Sequence, residues 1–478
     1  MPTNDTQVFA RRITSRDTID PAGLVVPQVW ANAWQLAEFT PNVQIYENAD
    51  ASFGDAGITP EALFDLYSVA RKSPLARFYV NVNTGADANN GLTPGTAKKS
   101  IGAAIVLANT AAVASQIIVA AGDYNRTFGA YQGGTGAPTV DIAFIASGGT
   151  VVCGTWDDFA ALSKDATFTN TYVLVLSNAN RVVDLTQVDR FGNYVELTPV
   201  ASNAIANITP NSWAITAGSI YIQRADGAPV TQTNTRIYRA NVDNFRVTNP
   251  VNIFIGGADN NSAWDFQGGQ TGCVRYNPAT KPGVNKACVV KNTQMRFGGG
   301  TTNTAGNGLA VDSIHGIAAF FNCQADCNWS DGFNFKNSLT PSTKGYMMTV
   351  NCGGNDNGRA PSTSNNGWTS HDDVTAIDIC GIFQCNRGGT YRSINVSVSW
   401  LVDPTMQDDF GDIMAGGTIQ PTCFRVDNTA RYYVTKPKIR SLKATGFRFY
   451  VAAGAYLAYN SAIPSRYPDY NAGTLELF

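Results

Sequence analysis

The chain contains two histidines, His315 and His371, and the second is followed at once by two carboxylates, Asp372 and Asp373. An imidazole beside a carboxylate is acid–base chemistry, because one group can accept a proton while the other holds or returns one. The surrounding stretch, NNGWTSHDDVTAID from Asn365 to Asp378, opens with loop-forming residues, so a polar turn explains it equally well. A second candidate is Asp331 in NWSDGFNFKN, just before Phe333 and Phe335, whose alternation marks an inward-facing strand. Aspartate in that place is also an ordinary turn residue. DPTMQDDFGD adds Asp403, Asp408, Asp409 and Asp412, read as a loop facing water.

What positions these groups is a repeat. VKNTQ, FFNCQ, TVNCG and IDICG recur, with Thr293, Cys323, Cys352 and Cys380 at steps of 30, 29 and 28 residues. Asn328, Asn357 and Asn386 return at a second phase. A fixed period of this length is the mark of stacked coils. Like side chains then stack, amides can bond to one another along the axis, and neighbouring strands lie about 4.8 Å apart. Counting eight residues back from each cysteine gives His315, Lys344 and Asp372, flanked by His371 and Asp373. Residues remote in sequence thus become one ionisable strip, or one solvated edge. Asp331 falls on a different edge by the same count; it and Asp312 reach the strip only where loops bring them there.

Composition agrees with many short strands. Charged residues make up 15% of the chain against roughly 25% in ordinary domains, and 45 glycines supply turns. A net charge of −2 gives no basis for holding nucleic acid. The start lacks the roughly 7–15-residue apolar core of a signal peptide. Ile101 to Gly122 is interrupted by polar residues and reads as a helix followed by a strand, so no membrane span is expected. The nine cysteines lack zinc-ligand spacing and read as buried thiols; neither metal nor cofactor is expected.

Residues 1–75 read as a helical attachment module, with PQVWANAWQLAEF and the capped TPEALFDLYSVARKS. Next, YVNVNTGADANNGLTPGTAKKSI…IIVAAGDY, Tyr79 to Tyr124, gives a strand, a loop, a helix striped by Ile101, Ala104, Ile105 and Ala108, and another strand. The helix would cap the open end of a strand stack. This segment resembles the opening of pectate-lyase-like right-handed parallel β-helix proteins, most closely those of bacteriophage tailspikes. It departs from them at Lys98-Lys99, where relatives often carry an aromatic. The fold expected is therefore all-β, a right-handed parallel β-helix, with first coils in 76–179 and an inserted antiparallel β element in 180–240. The main coils are placed in 241–430 and a capping or oligomerising segment in 431–478.

The resemblance implies a tailspike-type protein of the phage virion. It would be a homotrimer, docked through residues 1–75 to a phage tail or baseplate and acting on a bacterial surface glycan. A long rigid groove with regular polar side chains suits a polymer. Catalysis falls to His315, Lys344, His371, Asp372, Asp373 and Asp331, by hydrolysis between two carboxylates or by elimination from a uronate. Trp213, Tyr221, Tyr238 and Trp368 are the candidate sugar contacts. A non-catalytic receptor-binding spike is the alternative, and a surface-polysaccharide epimerase a third reading.

Overall fold

The computed structural model describes residues 46–47, 53–55, 58–129, 136–280, 285–301, 306–338, 345–359, 365–407, 422–441, 447–460 and 468–477. The chain winds as a parallel β-helix. One coil runs Gly316–Phe321, Gln324–Asp326, Phe333–Lys336, and the next begins at Gly345–Val350. Ile317 pairs with Tyr346, Gln324 with Gly353 and Phe333 with Trp368, all in parallel. Three strands per coil demand three corners, and each is a left-handed residue. Asn292, Asn322, Asn351, Cys380, Asp403 and Lys436 form one column of positive φ, between 48° and 57°. Phe297, Cys327, Asp356 and Cys385 form a second, and Ser313, Asp372, Asn395 and Asn428 a third. Asn and Asp accept this conformation at low cost, which is why amides and short acids recur at the period.

The interior is aromatic and dry. Phe335, Trp368, Tyr391, Phe424 and Phe449 are 0% exposed and step along the axis, with successive ring centroids 5.5, 5.9, 5.9 and 5.6 Å apart. Beside one corner runs an asparagine ladder: Asn328 Nδ2 donates to Asn357 Oδ1 at 2.9 Å, and Asn357 Nδ2 to Asn386 Oδ1 at 2.9 Å. The amide stacking expected from the period is there. All nine cysteines are buried, free thiols.

The cysteine register differs by one from the sequence count. Val350 pairs with Ile379, so Cys380 lies in phase with Asn351, and Gly381 with Cys352. Counting assumed the small residue kept its place, whereas the corner column accepts Asn or Cys alike.

Helix α1 (Pro60–Asp65) starts at Thr59, whose hydroxyl accepts from Ala62 N, and α2 (Ile101–Ala111) starts at Ser100. All four stripe residues of α2 are fully buried over the first coil. Ser100 Oγ accepts from Ala103 N at 3.1 Å and donates to Asp87 Oδ2 at 2.9 Å, so one hydroxyl ties the cap to its loop. Ser100→Ala is expected to cost about 1 kcal/mol, measured as a lower urea midpoint; no change would mean that Asp87 alone holds the cap. Within 1–75, the first of the two expected helical stretches lies outside the described residues. Leu63, Phe64 and Ala70 pack on the solenoid against Phe254, Ala287 and Ile317.

The antiparallel element is larger than 180–240. The chain leaves the coils after Gly154 and returns at Phe245, and Ser163–Lys164 already pairs antiparallel with Tyr172–Val175. Parallel coils also continue past 430, through Thr474–Leu477, where a cap was expected. Its aromatics alternate in and out like those of earlier coils, which is ladder behaviour. Among the described residues no helix is long and apolar enough to cross a membrane.

Candidate functional site

Nine strands form one face of the solenoid: β1 (Phe245–Val247), β2 (Gly272–Tyr276), β3 (Asn307–Asp312), β4 (Phe333–Lys336), β5 (Trp368–Ser370), β6 (Tyr391–Ser393), β7 (Thr422–Val426), β8 (Phe447–Val451) and β9 (Asp469–Asn471). Each strand is too short to carry more than one or two side chains outward between inward ones. On β4, Phe333 and Phe335 fill the core while Asn334 and Lys336 lie on the outer side, half-buried. Register makes the outer positions a column: Arg246, Arg275, Ala310, Asn334, Thr369, Arg392, Arg425, Tyr450 and Tyr470.

At the middle of this column the structure brings Asp331 and His371 to the same side chain. Asn334 Nδ2 donates to Asp331 Oδ2 at 2.5 Å and lies 3.1 Å from His371 Nε2. With both Asn334 N–H groups so used, Nε2 is the acceptor and the ring proton sits on Nδ1. Asp331 Oδ1 also accepts from Asn366 N at 2.5 Å and Asn366 Nδ2 at 3.3 Å. Burial pushes the Asp331 carboxyl up to about 6, against the opposing pull of the Asn334 and Asn366 hydrogen bonds and of Arg392. Burial pushes His371 the other way, down to about 4, opposed by the Asp372 charge and reinforced by Lys336 and Arg392. Each group is thus held in its neutral form over part of the mildly acidic range.

Asp372 has a separate explanation. It is a corner residue at φ 60°, and its Oδ1 accepts from Asn395 Nδ2 at 2.6 Å in the next coil. Ile317 pairs with Tyr346 and Tyr346 with Thr375, which puts His315 in phase with Asp373 rather than Asp372. His315 therefore lies two strands away from Asp373, in the turn that follows β3; Lys344 lies outside the described residues. The Asp373 carbonyl accepts from Asn337 Nδ2 at 3.0 Å. Asp312 is held by Ser338, whose Oγ lies 2.7 and 2.8 Å from its two oxygens.

Three of the four aromatic candidates are interior. Trp213 is 3% exposed and donates to Leu197 O, Tyr238 is 1% exposed and donates to Gln267 Oε1, and Trp368 is 0% exposed and donates to Thr349 Oγ1. Alternation placed them on strands, and their neighbours turned them inward. Tyr221 alone stays partly exposed, edge-on to Phe168. Asp403, expected to face water, is a buried corner residue bonded to Lys438 Nζ at 2.7 Å; Asp408, Asp409 and Asp412 lie outside the described residues. Sequence reasoning missed Asn334, Thr369 and the column arginines. The signal was the middle residue of FRV, VRY, FNF, WTS and YRS, which sits between inward residues on successive strands.

A cleft of about 470 Å³ opens where the antiparallel element meets the first coils, lined by Phe128, Trp156 and Phe159. Of its charged lining residues, Arg236 pairs with Asp123, Asp157 with Arg126 outside the lining, and Lys99 lies over the Phe128 ring.

Fold and column together define a parallel β-helix protein with a polar strip along one face. No protein-family model matches the chain, and no curated protein does. Among solved structures, one described as a glycoside hydrolase is 9% identical, covering 84% of this chain and 96% of its own, at a TM-score of 0.41. The complex of XylC with xylose is 9% identical over 84% of this chain and 70% of its own, at 0.40. The Gp54 tailspike of Acinetobacter baumannii bacteriophage AP22, in complex with a capsular saccharide, is 9% identical over 75% and 76%, at 0.16. Likenesses this distant leave the site to be read from its own residues.

Proposed function

We propose that the chain is a tailspike-type polysaccharide depolymerase that binds a host surface glycan along the nine-stranded face and cleaves it by acid–base chemistry. Asp331 is the acid that protonates the leaving glycosidic oxygen. His371 is the base, acting on water in hydrolysis or on a sugar C–H proton in elimination. Asn334 is the positioning residue between them. The observation that carries the reading is that one amide nitrogen, Asn334 Nδ2, reaches both Asp331 at 2.5 Å and His371 at 3.1 Å, in surroundings whose burial pushes the first up to about 6 and the second down to about 4. Pairs of titratable groups pushed apart by their surroundings are what acid–base catalysis requires. Nine strands about 4.8 Å apart give a face roughly 40 Å long, suited to several sugar units.

Assembly as a homotrimer, in the phage virion and attached through residues 1–75, belongs to the same proposal. It rests on the resemblance of Tyr79–Tyr124. Analytical ultracentrifugation of the full chain tests it.

The test of cleavage is incubation with extracted bacterial surface polysaccharide, reading reducing ends and ultraviolet-absorbing unsaturated ends. Both rise in elimination, and reducing ends alone in hydrolysis; binding without either product would make this a receptor-binding spike. The rate should follow a bell in pH. His371 must be deprotonated, which holds above about 4, and Asp331 protonated, which holds below about 6. Maximal activity is expected between those limbs, and a rate rising steadily to pH 8 would remove Asp331 as the acid.

A further inference from the structure

One sheet of the solenoid is apolar on both sides. Its strands include Gly316–Phe321, Gly345–Val350, Val374–Ile379, Val398–Val402, Arg431–Thr435 and Tyr456–Asn460, stacked in that order. Inward, Phe320, Met347, Ala376 and Leu401 belong to the core. Outward, Phe321, Tyr346, Met348, Ile377, Trp400 and Tyr433 form a second cluster, each no more than 7% exposed. A sheet with two apolar faces needs a layer on each. The antiparallel element does not supply the outer one, because its Asn193 and Arg190 reach Gln294 and Cys385, on the strands after the next corner.

The outer layer starts on the first coils. Gln116 Nε2 donates to Arg71 O at 3.1 Å, Asn252 Nδ2 to Tyr67 O at 3.1 Å, and the Phe64 ring lies 5.4 Å from that of Phe254. Helix α1 comes next, against Lys286–Lys291 and Gly316–Phe321, with Glu61 paired to Lys291. The antiparallel pair of Tyr46–Glu47 and Phe53–Asp55 follows, and Phe53–Asp55 lies against Val374–Ile379. Traced from Arg71 towards the N-terminus, the chain climbs the face coil by coil. The next three coils continue the apolar face with Trp400, Val402, Tyr433 and Ala458, and these too are buried.

The sequence shows what can continue the climb. Residues 21–45, PAGLVVPQVWANAWQLAEFTPNVQI, carry Glu38 as their sole charge and bring Val25, Val29, Trp30, Trp34 and Phe39. Residues 1–20 hold Asp5, Arg11, Arg12, Arg16, Asp17 and Asp20. An arm free in water has the second composition and not the first. Reach is no obstacle: three coils are a climb of roughly 15 Å, and an extended chain of that length spans about 80 Å.

We propose that residues 21–45 are a strap that completes the apolar layer over Trp400, Tyr433 and Ala458, and that residues 1–20 alone are left free to meet a partner. The strap closes this sheet to other copies of the chain and leaves the nine-stranded face open. The inference stands apart from the depolymerase reading and narrows the attachment segment expected within 1–75.

The test places a light-activated cross-linker in the full-length protein, as Tyr433→p-benzoylphenylalanine, and maps its links by digestion and mass spectrometry. Links to residues 21–45 of the same chain are expected, at monomer mass on a denaturing gel. Links to a second copy would make this face a subunit interface and overturn the strap, and links confined to the sheet itself would overturn it too. Trp30→Asp/Trp34→Asp should abolish the links to 21–45 and raise anilinonaphthalenesulfonate fluorescence severalfold, with the β-sheet circular dichroism unchanged. Arg11→Gln/Arg12→Gln, outside the strap, should change neither. Dye binding by the tryptophan variant no greater than that of wild type would overturn the proposal. Wild-type protein decides the matter where a variant unfolds. Brief thermolysin, which cuts before apolar residues in accessible chain, should cleave before Val8 and Phe9 and cut within 21–45 about tenfold or more slowly. Cleavage before Val29 or Leu36 as fast as before Phe9 would remove the strap.

Discussion

Asp331→Asn is expected to lower the rate of glycan cleavage by about 10²- to 10⁴-fold, the usual share of a positioned acid. The variant keeps the shape and one acceptor oxygen, so the Asn366 N–H that Asp331 holds need not be lost. What it removes is the exchangeable proton. His371→Gln should fall by a similar factor, and the double variant little further than either single one, because acid and base act in one step. The pH profile separates this from mere disturbance of the face: Asp331→Asn should lose the limb near 6, and His371→Gln the limb near 4. Stability gives an independent reading of the same carboxyl. Its folded value, about 6, lies above the ordinary 3.8, so the folded state holds this proton more tightly than the unfolded chain. That contribution is present in full below about pH 4 and is lost as pH rises through 6. Asp331→Asn should therefore gain stability relative to wild type across that window. A variant that cleaves at the wild-type rate with both limbs intact would remove Asp331 from the chemistry.

The coils were legible because their cause is local and periodic. Asn328, Asn357 and Asn386 recur at 29-residue steps, and the structure bonds them to one another. The stripe of α2 was legible for the same reason, since four apolar residues at helical spacing have one dry place to go. The site was less so. Loops between coils differ in length: Phe333 pairs with Trp368, 35 residues on, and Trp368 with Tyr391, only 23 on. A count anchored on the cysteine corner therefore drifts before it reaches the other face. It joined Asp372 to His315, whereas His371 meets Asp331 through Asn334, a residue with no chemistry of its own to draw the eye. Asp372 attracted attention as half of a carboxylate pair and proved to be a corner. Trp213, Tyr238 and Trp368 failed for a different reason: aromatic rings in strands are as often core as surface, and only the packing of neighbours decides.

Asn357→Ala should be the most damaging single truncation in the polar interior, at a cost on the order of 3 kcal/mol. Asn357 is fully buried, and its amide makes four hydrogen bonds. Oδ1 accepts from Asn328 N at 3.1 Å and Asn328 Nδ2 at 2.9 Å; Nδ2 donates to Ala325 O at 2.8 Å and Asn386 Oδ1 at 2.9 Å. Asn328 Nδ2 retains Met295 O, Asn386 Oδ1 retains the Asn357 backbone N–H, and Ala325 O keeps its place in the parallel ladder with Gly354, so the orphan is Asn328 N. One buried backbone N–H loses its partner and one carbonyl loses one of two, in a corner too tight for water to replace them. Asn357→Asp should be no better at neutral pH, since it trades the two donated bonds for a buried charge. Because each coil touches only its neighbours, the loss should be local. Hydrogen exchange is expected to quicken around Ala325, Asn357 and Asn386 and to stay slow at α2, with a lower urea midpoint. The exposed Gln232→Ala, as control, should shift stability by less than about 0.5 kcal/mol. A midpoint for Asn357→Ala as close to wild type as the control's would mean that the ladder ornaments the corner and the aromatic column alone sets the register.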